Sequence, residues 1–317
     1  MGSNDKFDFE MERRLYHLDP ELHTRFRSAV FALQHILTNY KLIFPEYTDH
    51  SSLHSLTVID FCNRLIGERL ERLNADELYV LLTACYFHDT GMGITMKDYE
   101  LFSREIDFGN YFGTHSRDDY AATIRDFHHE FSGLFIRKYA DMFDIPSEAH
   151  RRAIIQVVRG HRKTDLTDEK EYPIEFRVPN GNTVCLPYLS AMIRLSDEVD
   201  VAAPRNPILL YDIESLTDEK QIIENKKVRA VRRLEVREDS FILYVDPSDR
   251  EILRLLYELA AKVQKTLDTC RAAVLGRTPY VITQQRIELV ELPPSFTADA
   301  QGSSKTKKTI PPFPGQT

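Results

Sequence analysis

Cysteine is scarce in this chain, and the little there is carries no pattern. The four, Cys62, Cys85, Cys185 and Cys270, include no Cys-x-x-Cys spacing, so neither a zinc–thiolate site nor a disulfide framework is expected. Three of them sit in apolar stretches, where a reduced thiol behaves as a small hydrophobe. No run of about eighteen apolar residues occurs, and the opening Met-Gly-Ser-Asn-Asp-Lys has no apolar h-region. A membrane span and a secretory leader are therefore both unexpected, and the expected compartment is the cytoplasm. Missing too are a Gly-x-Ser-x-Gly elbow, a Gly-x4-Gly-Lys-[Ser/Thr] loop and a strand–Gly-x-Gly-x-x-Gly–helix unit. Their absence speaks against a serine-hydrolase elbow and against P-loop or Rossmann nucleotide binding. Nor is there a basic excess: 41 Lys and Arg face 49 Asp and Glu, for a net charge of −8. A surface of that sign repels phosphates on average, which disfavours broad nucleic-acid binding.

What is present reads as a soluble globular chain, 42% hydrophobic and 28% charged. Its 317 residues exceed the roughly 250–300 at which single cores stop growing, which suggests one large domain with an appendage. The expected division is an N-terminal segment (1–19), a helical domain (20–206), an α+β C-terminal subdomain (207–292) and a disordered tail (293–317) rich in Pro, Ser, Thr and Lys. Amphipathic spacing predicts helices over 22–43, 51–73, 75–87 (Asn74 as N-cap), 117–142, 147–159 and 187–199. Pro-Asn-Gly-Asn between 174–178 and 183–186 marks a β-hairpin. Residues 90–114 carry four glycines and several aromatics without sustained period, the mark of a lid or substrate loop. Strands are expected over 228–236, 240–245 and 280–292, around a helix over 248–275. The fold class is thus mostly α, a helical bundle with an inserted hairpin and a small α+β appendage.

All eleven histidines lie between His17 and His161. The sharpest local pattern is Ala-Cys-Tyr-Phe-His88-Asp89-Thr-Gly-Met-Gly, an apolar helix that runs into adjacent His and Asp and breaks at glycine. Burying such a pair is costly unless something satisfies it, and a divalent cation does so well. Taken alone, the dipeptide reads first as a helix C-cap; the rest of the pattern reverses that balance. His54 stands early in one helix, Asp197 late in another, and His128 and His161 fall in helices between. In order, His, His-Asp, His, His, Asp resembles the HD superfamily of metal-dependent phosphohydrolases over about residues 20–205. The resemblance implies an HD-type helical bundle and two divalent cations (Mn, Fe, Mg, Zn, Co or Ni). His54, His88 and Asp197 would hold one, His128 and His161 the other, with Asp89 bridging. His128 is preferred to His129 because an Arg precedes it by three and a Ser follows by four, although His129 stays open.

The implied chemistry is cleavage of a phosphate ester or anhydride of a nucleotide or other small phosphorylated molecule. A hydroxide shared by the two cations would attack, with His88 and Asp89 at the catalytic centre. Rival readings are a di-iron oxygenase on the same site, a nuclease, and a regulatory HD protein with weak activity. A homo-oligomer is left open. Candidate substrate contacts are His50, His115, Arg162, Lys163 and Arg205, and Asp200, three after Asp197, is placed to orient a ligand or to be a solvated charge. His17, His23, His35 and His150 have no partner pattern and read as surface residues. The basic stretch 226–233 reads as a strand edge with Lys227, Arg229 and Arg233 on one face.

Overall fold

The computed structural model describes residues 9–37, 52–201 and 219–293. Helices α1 (Glu10–Leu18), α2 (Pro20–Leu37) and α3 (Ser52–Ile66, followed by a 3-10 stretch to Arg72) precede α4 (Ala75–Phe87). After them come α5 (Met96–Phe102), α6 (Tyr120–Tyr139), α7 (Glu148–Gly160) and α8 (Leu186–Val199). The sequence of α4, ADELYVLLTACYF, is apolar on every face beyond its first turn, and such a helix has to lie inside. It does: residues 76–87 are all buried, and α1, α2, α3, α7 and α8 pack around it. Its start is fixed by a reciprocal capping box, in which Asn74 Oδ1 accepts from the Glu77 amide and Glu77 accepts from the Asn74 amide.

The hairpin forms with shorter strands than the pattern suggests. β1 (Phe176–Arg177) pairs antiparallel with β2 (Thr183–Val184), since Leu186 already begins α8. Gly181 supplies the positive φ, 88°, that the turn needs. The hairpin is fastened to the head of α4: Asn74 Nδ2 donates to the Thr183 carbonyl (2.9 Å), and Asn180 and Asn182 both donate to Asp76 (2.8 and 2.7 Å). Residues 90–114 are more ordered than their lack of period implies, holding 3-10 turns at Thr90–Gly93 and Tyr111–Gly113 and the helix α5, capped by Thr95.

In the C-terminal part, α9 (Glu219–Ala230) leads into β3 (Val231–Val236) and β4 (Ser240–Val245), then α10 (Arg250–Val274) and β5 (Arg286–Glu291). β3 and β4 are antiparallel; β4 and β5 are parallel, joined by the α10 crossover. The expected strand from Val228 is corrected here. Helix persists through Ala230 because Lys, Arg and Ala in that segment favour it, so Lys227 and Arg229 do not share a strand face with Arg233. Arg232 instead pairs with Asp246 (2.5 Å), and Arg233 lies over the Tyr244 ring (4.1 Å). The strand expected from Tyr280 starts only at Arg286. Tyr280 instead anchors the appendage to the bundle, its hydroxyl donating to buried Glu77 (2.6 Å) and its ring stacking on Tyr188 (4.3 Å). With α10 packed on α8, the appendage shares one buried core with the bundle. No helix among the described residues is long and apolar enough to cross a membrane.

Candidate metal centre

The ends of α4 and α7, the middle of α6 and facing positions on α3 and α8 converge on one polar spot inside the apolar bundle. α4 stops at His88, and Asp89 opens the 3-10 turn that follows. That turn lies against α6 because Gly91 has no side chain: a Cβ there would stand 2.3 Å from the His128 carbonyl oxygen and 2.8 Å from the Ser132 amide. Ser132 locks the junction, its hydroxyl donating to the His88 carbonyl (2.7 Å) and accepting from the Gly91 amide (2.8 Å). Gly91→Ala is accordingly expected to push the turn off α6. The loss should be about 1–3 kcal/mol of stability together with cation affinity, read by thermal unfolding and by metal titration of the same preparation.

Asp89 stands at the middle. Its Oδ2 lies 3.4 Å from His54 Nε2 and 3.3 Å from His88 Nε2, while its Oδ1 lies 3.4 Å from His128 Nε2. Asp197 Oδ1 joins the first group, 3.3 Å from His54 Nε2 and 3.9 Å from His88 Nε2. The donor atoms of His54, His88 and Asp89, and separately those of Asp89, His128 and His161, lie within 4.8 Å of one another. All five residues are buried.

The four imidazoles are oriented alike. Nδ1 of His88 donates to the Cys85 carbonyl (2.8 Å), that of His128 to the Arg125 carbonyl (2.6 Å) and that of His161 to the Val158 carbonyl, each three residues back. His54 uses a carboxylate for the same purpose, Nδ1 to Asp200 Oδ2 at 2.7 Å. These partners assign the proton to Nδ1 and leave a lone pair on every Nε2. Yet Nε2 of His54 faces Nε2 of His88 at 3.1 Å, and Nε2 of His128 faces that of His161 at 2.9 Å. Two facing lone pairs repel unless a cation sits between them, and this is the spacing of two donors sharing one ion at about 2.0–2.1 Å. The residues therefore fit a divalent cation on each side of Asp89.

The electrostatics agree. Burial pushes His128 and His161 well below the usual histidine range, keeping them neutral. Arg194, itself buried, donates to the Gly160 carbonyl (2.8 Å) and the Thr164 carbonyl (2.7 Å), closing the end of α7 where His161 stands.

Of the two adjacent histidines on α6, His128 enters the cluster and His129 does not; its ring lies 6.0 Å from that of His128 and 6.4 Å from that of His161. Burial, with His128, Arg162, Arg159 and Lys163 nearby, pushes His129 down to about 2. Asp200 proves to be a buried partner of His54 rather than a solvated charge. Asp200→Ala should weaken cation binding about 10–100-fold, as loss of such an orienting partner does, measured by competitive chelator titration. Arg162 and Lys163 directly follow His161. His115 lies outside the cluster on the largely exposed 103–119 segment, stacked on Tyr111 at 4.1 Å, and Tyr111 in turn packs on Phe127 (5.1 Å). His50 and Arg205 lie outside the described residues. Two residues read as surface are not: His150 is buried against Asp76 (2.8 Å), and His23 is partly covered and reaches Glu12 (3.1 Å). All four cysteines are free and buried, Cys62 and Cys85 with sulfurs 3.9 Å apart.

A comparison with curated proteins returned no match. The family model described as HD-CE matches residues 44–271, well over half of the chain and all of the clustered His and Asp residues, and the chain therefore belongs to the HD-CE family.

Proposed function

We propose that the protein is a metal-dependent phosphohydrolase acting on a nucleotide or another small phosphorylated molecule. The observation that carries the reading is Asp89, buried between two pairs of imidazoles with one oxygen turned to each. In this reading His54, His88, Asp89 and Asp197 hold one divalent cation, and Asp89, His128 and His161 hold the other. Such a pair supplies a water acidified towards neutrality and neutralises phosphoryl oxygens. The chain's own residues do the rest. Asp89 fixes the separation of the two half-sites, Asp200 and the three backbone carbonyls keep every Nε2 presented, and Ser132 pins the turn that carries Asp89. The enclosing apolar helices limit bulk water, which strengthens each charge interaction inside. A net charge of −8 favours a small substrate over a nucleic acid.

The test is elemental analysis of protein purified without chelators, followed by a phosphate-release screen over nucleotides and simple phosphate esters. Two equivalents of cation and chelator-sensitive phosphate release are expected. Protein carrying iron with a mixed-valence signal and oxygen uptake, and releasing no phosphate, would overturn the reading in favour of an oxygenase.

A further inference from the structure

His129 is 5% exposed, yet its Nδ1 is buried without a hydrogen-bond partner. Its Nε2 comes only within 3.8 Å of Glu130, and both Glu130 oxygens are already held by Arg159 at 2.9 Å. Phe127 lies nearly parallel to the ring, at 14° and 6.4 Å, and the rings of His128 and His161 stand on its other flanks. Native proteins rarely leave a buried polar nitrogen unused, and where they do a bound group is a common reason. The charge around it identifies the kind of group. Arg159, Arg162 and Lys163 all act on His129, and Arg162 also acts on His128 and His161. The Arg159 charge is engaged by Glu130. The side chains of Arg162 and Lys163 have no hydrogen bond or ion pair among the described residues, and both follow directly on His161. The His161 ring stands 6.4 Å from that of His129, so the two cations that follow His161 leave the chain next to this unpartnered imidazole, and the three together suit a phosphoryl oxygen and repel a metal ion.

We propose that His129, Arg162 and Lys163 form an anion subsite next to the His128–His161 half of the cluster, and that it takes a phosphoryl group adjoining the one being cleaved. The preferred substrate then carries a phosphate chain rather than a single phosphate. This rests on the phosphohydrolase reading and narrows its substrate class.

The experiment compares kcat/KM of the metal-loaded enzyme for a nucleoside triphosphate, the matching monophosphate and p-nitrophenyl phosphate, and measures binding of inorganic triphosphate to the same enzyme by calorimetry. Wild type should prefer the triphosphate by about tenfold or more, the worth of one charge-assisted contact. R162A/K163A should lower the triphosphate-to-monoester ratio by about tenfold, mainly through KM, and weaken inorganic triphosphate binding to a similar degree, with cation content retained. His129→Phe should do the same, and His129→Gln, which offers an amide N–H, should restore part of the ratio. Equal turnover of all three substrates, or variants that leave the ratio unchanged, would overturn the subsite. If no phosphate ester is cleaved, the phosphohydrolase reading fails by itself and the calorimetry decides the subsite: triphosphate binding lost in R162A/K163A upholds it, and no binding by wild type refutes it.

Discussion

Asp89→Ala is expected to yield protein that carries neither cation and shows no measurable turnover. Asp89 is the residue common to the two groups of clustered donor atoms. Its Oδ2 lies by His54 and His88 and its Oδ1 by His128, so deletion removes a ligand from each and leaves facing lone pairs on both sides. Activity should fall by about 10⁴-fold or more, because water activation depends on the cations lowering a pKa from about 15.7 towards 7. Elemental analysis alongside phosphate release checks it. Two equivalents of cation retained by the variant would refute the shared role. His115→Ala, on a largely exposed segment away from the cluster, should retain the full cation content and serves as the comparison.

The largest effect on stability is expected away from the metal centre, at Asp76. This carboxylate is fully buried and accepts from His150 Nε2 (2.8 Å), Asn180 Nδ2 (2.8 Å) and Asn182 Nδ2 (2.7 Å). It ties together the heads of α4 and α7 and the hairpin. Asp76→Ala takes the acceptor away from three donors at once, at a cost of about 3–5 kcal/mol. For a chain of this size that lowers Tm by roughly 5–15 °C, measurable by calorimetry. Burial works to raise the Asp76 pKa, but the hydrogen bonds from His150, Asn182 and Asn180 outweigh it, so the folded value lies below the usual carboxylate range. A depressed carboxylate stabilises the fold above its unfolded pKa of about 3.9, and that contribution is lost as pH falls through the folded value. The gap between wild type and Asp76→Ala should thus be constant near neutral pH and close only below about pH 4. A gap that closes between pH 5 and 7 would show that another group governs it.

Much of the bundle is legible in the chain because burial writes itself into local pattern. The all-round apolar run of α4 announces a central helix, and Asn74 announces its start. The His-Asp pair at its end marks where something polar has to be satisfied. The strand expected from Val228 fails because hydrophobic alternation there is weak, and the helix-favouring Lys, Arg and Ala prevail until Ala230. The burial of His150 is invisible locally because its partner, Asp76, is 74 residues away and no periodicity links them.

The order of His54, His88, Asp89, His128, His161 and Asp197 was enough by itself for the resemblance to the HD superfamily, because those residue types and their succession along the chain can be read without any tertiary contact. Only the folded chain decided that His128 and not His129 enters the cluster, that Asp200 holds His54, and that Gly91 must be bare for the turn to meet α6. Those outcomes depend on how segments far apart in sequence are set against one another, and side-chain period carries no information about how closely two backbones approach.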